Sequence, residues 1–228
     1  MSDFPSREDL NTVITIVSGL PRSGTSLMMR ILEAGGMSVI VDNIRKADED
    51  NPGGYYEYEK VKELEQDNSW MGTARGKAIK IVSPLLYYVP QNEEYTYKII
   101  FMRRDLDEIL ASQRKMAERL HQQQDSFLDS ELKANYIEHL RELEKWLCQK
   151  DCLETLHVDY AEIIFNTRTT VSHIRNFLKK DLNISRMAET VDDSLYRQKI
   201  ERTAEDFSME TSADNNIIEM QLKQLGYL

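Results

Sequence analysis

An apolar run, Val13-Ile14-Thr15-Ile16-Val17, leads into Ser18-Gly19-Leu20-Pro21-Arg22-Ser23-Gly24-Thr25-Ser26. Leu27-Met28-Met29-Arg30-Ile31-Leu32 follows at once with a helical pattern. A glycine-bracketed loop between a strand and a helix lines up backbone N–H groups at the helix N-terminus, where the helix dipole also favours negative charge. The chemistry such a loop serves is the grip of a phosphate or sulfate. The spacing of Gly19, Gly24 and Ser26 comes close to G-x-x-x-x-G-K-[ST], but the lysine position holds Thr25 and the cation sits inside the loop as Arg22. That lysine is the group that reaches the β and γ phosphates of a triphosphate. Its absence points to a different anhydride.

A second set of chemically able residues follows the run Lys98-Ile99-Ile100-Phe101-Met102. Arg103-Arg104-Asp105 opens another helical pattern, with Ser112 two turns in. An arginine at the C-terminal end of a strand points into the crevice where open α/β sheets bind ligands, and a guanidinium beside a hydroxyl suits a second, separate phosphate. The same Arg-Asp pair can equally cap the helix as an ion pair. Asn51-Pro52-Gly53-Gly54 is a strong turn signal, and Tyr55-Tyr56-Glu57-Tyr58-Glu59 follows it with aromatics and carboxylates side by side. These tyrosines, with Tyr87 and Tyr88, read equally well as pocket walls and as core packing.

The scaffold that must position these residues is legible in the alternation of patterns. Short β-branched or apolar runs at 13–18, 77–82, 97–102 and 153–158 read as buried parallel strands, with a weaker one at 37–41. Helical patterns lie at 25–35, 57–68, 105–122, 131–149, 168–179, 185–191 and 214–225. Such alternation requires crossover connections, so the expected fold is a three-layer α/β/α arrangement around a mostly parallel sheet, of the P-loop NTPase-like class. No internal repeat or Pro/Gly/Ser linker divides the chain, and residues 1–228 read as a single domain. The polar segment 119–135 reads either as a lid or as a solvated helix junction.

The 228 residues carry 41% apolar content and a formal net charge of −10. That balance argues against nucleic acid or an anionic membrane as the main partner. It also requires an anion site to be locally basic, which Arg22, Arg103, Arg104, Arg114 and Lys115 can supply. No apolar run approaches the ~20 residues needed to span a bilayer. The first residues show no signal-peptide core, so a cytoplasmic protein is expected. Cys148 and Cys152 lack flanking ligands and read as two reduced thiols; no metal site is expected. His121, His139, His157 and His173 fit structural positions better than catalytic ones.

Taken together, the two anchors resemble the sulfotransferases that use 3′-phosphoadenylyl sulfate (PAPS), in particular bacterial ones. The loop signature of that family, P-[KR]-[ST]-G-[ST]-[ST], is matched at every position by Pro21, Arg22, Ser23, Gly24, Thr25 and Ser26. Its second signature, a strand-end arginine with a serine eight residues on, is matched by Arg104 and Ser112. The apolar strand ending in Asp159-Tyr160-Ala161-Glu162-Ile163, followed by Asn166-Thr167-Arg168, is similar to a third family segment. The resemblance implies that the loop holds the 5′-phosphosulfate, that Arg104 and Ser112 hold the 3′-phosphate, and that Tyr160 lies at the adenine. Tyrosylprotein sulfotransferases carry a similar loop, and bacterial members carry a stretch similar to Asn51-Pro52-Gly53-Gly54-Tyr55-Tyr56-Glu57.

The implied reaction moves a sulfuryl group from PAPS to an acceptor hydroxyl or amine, leaving adenosine 3′,5′-bisphosphate and needing no metal. The acceptor is a small molecule or peptide. Arg22 is the candidate cation for the leaving oxygen, with Lys80 in support. Small-molecule relatives place a catalytic histidine where this chain has Val82, in Lys80-Ile81-Val82-Ser83-Pro84, so the base is sought among Asp42, Glu57 and Glu59. Glu57 leads because the turn and two aromatics can desolvate it. Arg197, within Ser194-Leu195-Tyr196-Arg197-Gln198-Lys199, is a further candidate for the 3′-phosphate. A P-loop kinase or nucleotide hydrolase, and a non-catalytic protein that binds the bisphosphate, stay open as alternatives.

Overall fold

The strand that opens the glycine loop, β1 (Ile14–Gly19), is buried at every residue. In the computed structural model it lies inside the sheet, between β2 (Ala78–Lys80) and β3 (Tyr97–Arg103), with β4 (Leu153–Asp159) beyond β3. The structure describes residues 12–91, 95–120, 128–150 and 152–192, together with 223, 226 and 227. All three pairings are parallel, and the register sets Gly19 beside Met102 and Arg103 beside Asp159. Parallel pairing brings the C-terminal ends of the four strands to one edge of the sheet. The glycine loop, Arg104 and Tyr160 all emerge there.

Period-two alternation divides the strands between two cores. Ile14, Ile16, Ile79, Ile99 and Phe101 pack with α2 (Leu106–Arg119) and α3 (Leu128–Leu147). Val17, Ala78, Ile100, Met102 and Val158 face α1 (Thr25–Ala34), α4 (Tyr160–Phe165), α5 (Thr167–Leu178) and α6 (Ile184–Glu189). Strands buried on both faces require this layering. The fold is therefore α/β, with helices on both sides of a parallel sheet, as the alternation implied.

Two sequence expectations need correction. The weak run 37–41 is no strand of its own, yet it runs along the outer side of β2. A parallel bridge joins Val39 to Ala78, and hydrogen bonds run from Ala78 N to Ser38 O and from Ile40 N to Ala78 O, both at 2.8 Å. This covers a sheet edge that otherwise exposes unpaired backbone groups.

The expected helix at 57–68 is only a 3₁₀ turn at Glu59–Glu63, with a second turn at Ser69–Ala74. Tyr56 takes a left-handed φ of 54°, the Glu59 N–H is held by Asp42 Oδ2 at 2.6 Å, and Asp67 Oδ1 accepts the Ser69 N–H. Val61 and Leu64, three apart, are the buried residues here, a spacing that suits a 3₁₀ turn. The 214–225 pattern lies outside the described residues apart from Lys223, and so does most of the polar segment between α2 and α3.

His139 ties α3 to the 3₁₀ turn at Ser83–Tyr88. Its Nε2 lies 3.0 Å from Ser83 Oγ and its ring meets Tyr87 edge-on. Burial pushes the imidazole down from 6.5 to about 4. Between those values the unfolded chain binds a proton that the folded chain refuses. Stability contributed by the neutral ring is therefore complete above about pH 6.5 and falls as pH drops toward 4. In urea melts at pH 7 and pH 4.5, wild type should lose roughly 2–3 kcal/mol more than His139→Gln. Parallel losses in the two proteins would contradict this account.

Candidate active site

Two glycines shape the loop. A Cβ on Gly19, whose φ is +144°, would stand 2.5 Å from Ser23 Oγ and 2.6 Å from the Met102 carbonyl. Gly24, at φ +103°, would place a Cβ 2.5 Å from Tyr160 Cδ2, so the loop rests directly on the tyrosine ring. Arg22 itself adopts φ 76°, and the Ser23 N–H closes the turn onto Leu20 O at 3.1 Å. No side chain caps α1. Its first-turn N–H groups, which a helix cannot satisfy internally, are left for a ligand.

The second anchor reaches the first. Arg22 Nε donates to Ser112 Oγ at 2.9 Å, and Arg22 Nη2 donates to Asp50 O at 2.8 Å. Arg104 Nη1 donates to Arg22 O at 3.1 Å, its Nε pairs with Glu108 at 2.9 Å, and its guanidinium lies 4.5 Å from the centre of the Tyr160 ring. Asp105 caps α2 by accepting from the Asp107 and Glu108 N–H groups. Asp105 thus caps α2, while Arg104 pairs with Glu108 one helical turn further on. Burial pushes the Tyr160 hydroxyl up, with Arg104 and Arg22 opposing.

Arg22, Arg30, Arg104 and Lys115 line one cavity with Ser112 and Tyr160, along with Gly24, Thr25 and Ser26. Asp50 also lines it, but its carboxylate is turned to Arg119 at 2.6 Å. Within an acidic chain this is a locally basic hollow, built where a helix N-terminus points. It can hold two anionic groups at once: one on the loop, one between Arg104 and Ser112.

A buried ion cluster adjoins the cavity. Lys80, the last residue of β2, is 4% exposed, and its Nζ donates to Tyr55 O at 2.5 Å and to Glu57 Oε1 at 3.2 Å. Arg45 reaches the same carboxylate oxygen at 3.3 Å. Glu57 Oε2 is buried and has no hydrogen-bond partner among the described residues. Burial pushes the Lys80 ammonium down to about 8, against the pull of Glu57.

Comparison with known families now decides the identity. The family model described as "Sulfotransferase domain" matches residues 14–222. The chain belongs to the sulfotransferase domain family. Among solved structures, this sulfotransferase is similar to the sulfotransferase domain of the curacin biosynthetic pathway, at 10% identity over 95% of this chain and 98% of that one, with a TM-score of 0.46. It is also similar to the sulfotransferase domain of the Synechococcus PCC 7002 olefin synthase, at 13% identity over 92% and 93%, TM-score 0.43. A mouse sulfotransferase complexed with PAP gives 16% identity over 93% and 79%, TM-score 0.46. A search of curated proteins finds no match.

The structure brings Arg22, Gly24, Thr25, Ser26, Arg104, Ser112 and Tyr160 together around the cavity. Pro21 and Ser23 do not line it. The Pro21 carbonyl accepts from Gln113 Nε2 at 3.1 Å, and Ser23 is 1% exposed, packed against Gly19 beneath the loop. Glu57 and Lys80 stand behind the cavity as a pair. Arg197 lies outside the described residues. Of the rival carboxylates, Asp42 is spent on the Ile44 and Glu59 N–H groups, while Glu59 pairs with Lys62.

None of Tyr55, Tyr56, Tyr58, Tyr87 and Tyr88 lines the cavity, and Tyr88 is 38% exposed. Tyr55 bonds Asp48, Tyr56 bonds Glu33, Tyr58 meets Trp70 edge-on, and Tyr87 stacks near Trp146. Sequence reasoning missed Arg30, Arg45 and Tyr227. Arg30 falls one helical turn after Ser26, a spacing that returns it to the face carrying the loop.

The contact between Gly24 and Tyr160 yields a direct test. Gly24→Ala should lower stability by about 1–3 kcal/mol through strained φ and the clash. Tyr160→Ala in the same chain should recover part of that loss in a double-mutant cycle by urea melts. Strictly additive losses would show that the loop does not rest on the ring.

Proposed function

We propose that this sulfotransferase transfers a sulfuryl group from PAPS to a hydroxyl or amine of a small-molecule or peptide acceptor, in the cytoplasm, releasing adenosine 3′,5′-bisphosphate. The observation that carries this reading is the Arg22–Ser112 hydrogen bond. It joins the glycine loop to the strand-end arginine anchor in one cavity, giving two anion holds. The cavity fits such a donor. It has a cation for each anionic end and an uncapped helix N-terminus, with a tyrosine ring between the two holds. The unbridged cysteines fit a reducing compartment.

When bound, the donor supplies a sulfuryl group on a phosphate that leaves with negative charge. Arg22 and the first N–H groups of α1 stabilise that charge at the leaving oxygen, as preorganised donors do in related group transfers. Arg104 and Ser112 hold the 3′-phosphate and so fix the register of the nucleotide. Tyr160 offers its ring to the adenine. Glu57 takes the acceptor proton on Oε2, because Oε1 is already held by Lys80 and Arg45. Lys80 keeps that carboxylate aimed and adds positive charge behind the loop.

A kinase or hydrolase reading is disfavoured by Thr25, a neutral side chain at the position of the triphosphate-gripping lysine. A purely binding role leaves the Lys80–Glu57–Arg45 cluster, with its unpartnered oxygen, without a purpose.

Calorimetric titration should show adenosine 3′,5′-bisphosphate binding without Mg²⁺, weakened roughly 10- to 100-fold in Arg104→Ala, since a charge-assisted hydrogen bond is worth about 1.5–3 kcal/mol. Preference for ATP–Mg would overturn the assignment. Acceptor-dependent turnover of labelled PAPS should fall about a hundredfold or more in Arg22→Ala and be lost in Glu57→Gln. It should also decline as pH rises through about 8, where Lys80 loses its proton. In Lys80→Arg the decline should move to higher pH; an unchanged profile would remove Lys80 from the reaction.

A further inference from the structure

Tyr227 is distant in sequence from every loop that builds the site, yet its side chain is 8% exposed and lines the cavity beside Ser26 and Arg104. Burial pushes its hydroxyl up, with Arg22 and Arg45 opposing. Its ring lies 5.1 Å from the Arg45 guanidinium and 5.7 Å from Lys80 Nζ, the two cations that hold Glu57. The field of Glu57 is felt at the phenol, which burial also pushes toward the neutral form. An oxygen that is to receive a sulfuryl group must meet the cation at the leaving group on one side and the base on the other. Tyr227 lines the cavity that Arg22 also lines, and its ring lies near the two cations that hold Glu57.

Resting on the sulfotransferase reading above, we propose that Tyr227 is an internal occupant of the acceptor position, which an incoming acceptor must displace. A tethered side chain competes at high effective concentration, so it raises the bar for weak acceptors and for water. The apparent affinity of any acceptor is reduced by the fraction of molecules in which the phenol has moved aside. The site therefore selects acceptors able to replace the ring's contact with Arg45 and Lys80 and to bring a hydroxyl into the cavity that Arg22 lines.

The test removes the side chain and returns it as a free molecule. Binding of p-cresol, the tyrosine side chain without its backbone, is measured by calorimetry in wild type, Tyr227→Ala and Tyr227→Phe, with toluene as the isostere lacking the hydroxyl. Tyr227→Ala should bind p-cresol about tenfold or more tightly than wild type, with toluene weaker by a similar factor. Tyr227→Phe keeps the ring and loses only the hydroxyl, so its p-cresol affinity should fall between the two. It decides the matter if circular dichroism shows the alanine variant unfolded. Equal affinity for toluene and p-cresol would mean a packing hole rather than an acceptor position, and no gain in either variant would mean that Tyr227 excludes nothing; each overturns the proposal. Failure of wild type to bind the bisphosphate would instead overturn the donor assignment, and the p-cresol comparison would still report on Tyr227.

Discussion

The Arg22 guanidinium is the interaction on which the rest of the site depends. It donates to Ser112 on α2 and to the Asp50 carbonyl in the turn before Asn51-Pro52-Gly53-Gly54, and it shares the cavity with Tyr227. Two segments far apart in sequence are thereby pinned to one side chain of the glycine loop. Arg22 can reach them because its backbone is left-handed at φ 76°, which turns the side chain across the mouth of the cavity. A non-glycine residue in that region stores strain and persists only where its surroundings over-determine it. Here Pro21, the Ser23 N–H bond to Leu20 O and the Arg104 bond to the Arg22 carbonyl supply that determination. A bound anion competes for the same guanidinium, so binding must trade some of these hydrogen bonds for stronger charge-assisted ones.

In the proposed function, this exchange is how an acidic chain would hold an anion. The net charge of −10 is a long-range penalty that salt screens over about 10 Å. Around the cavity four cations, Arg22, Arg30, Arg104 and Lys115, face two carboxylates, Asp50 and Asp192, and Asp50 is paired with Arg119. Local arrangement therefore overrides the overall balance. Gly53 contributes to this as well: a Cβ there would stand 2.2 Å from Arg30 Nη1, so its absence is what lets the turn close over the guanidinium. The Arg30 Nε is buried and without a hydrogen-bond partner among the described residues, although Nη2 donates to Thr190 O. An unsatisfied buried donor is costly unless a ligand completes it.

What could be read in the sequence followed from periodicities that survive folding. That Arg104 and Ser112 line one cavity was legible because two helical turns return a side chain to the strand end, and Gly19 and Gly24 were legible because their spacing admits few other conformations. β1 and β3 were legible because strands buried on both faces are apolar at nearly every position, whereas β4, read as a buried strand, is buried only at Val158. The helix expected at 57–68 failed because its charge pattern looked amphipathic, while Tyr56, Asp42 and Asp67 imposed turns on the backbone. Ser23 matched the family signature yet points beneath the loop, since the Gly19 backbone leaves room for its hydroxyl there. Arg30, Arg45 and Tyr227 carried no local signal. Each acquires meaning only from the residue the fold sets opposite it.

The Lys80 cluster shows how the two halves of the site are made interdependent. Lys80 closes β2 at the same edge from which the glycine loop leaves β1, because Val17 pairs with Lys80 in parallel register. Its ammonium is buried and would be costly alone; Glu57 and the Tyr55 carbonyl compensate it. The Tyr55 carbonyl also accepts from Ser26 Oγ at 2.9 Å. One backbone oxygen is thus shared by the first turn of α1, which faces the anion, and by the cation that positions Glu57. In the proposed reaction, a shift of the loop on binding the donor would reach the Glu57 carboxylate through three hydrogen bonds: Ser26 Oγ to Tyr55 O, Lys80 Nζ to Tyr55 O, and Lys80 Nζ to Glu57 Oε1. The hydroxyl of Ser26 would then serve that coupling whether or not it touches the anion itself.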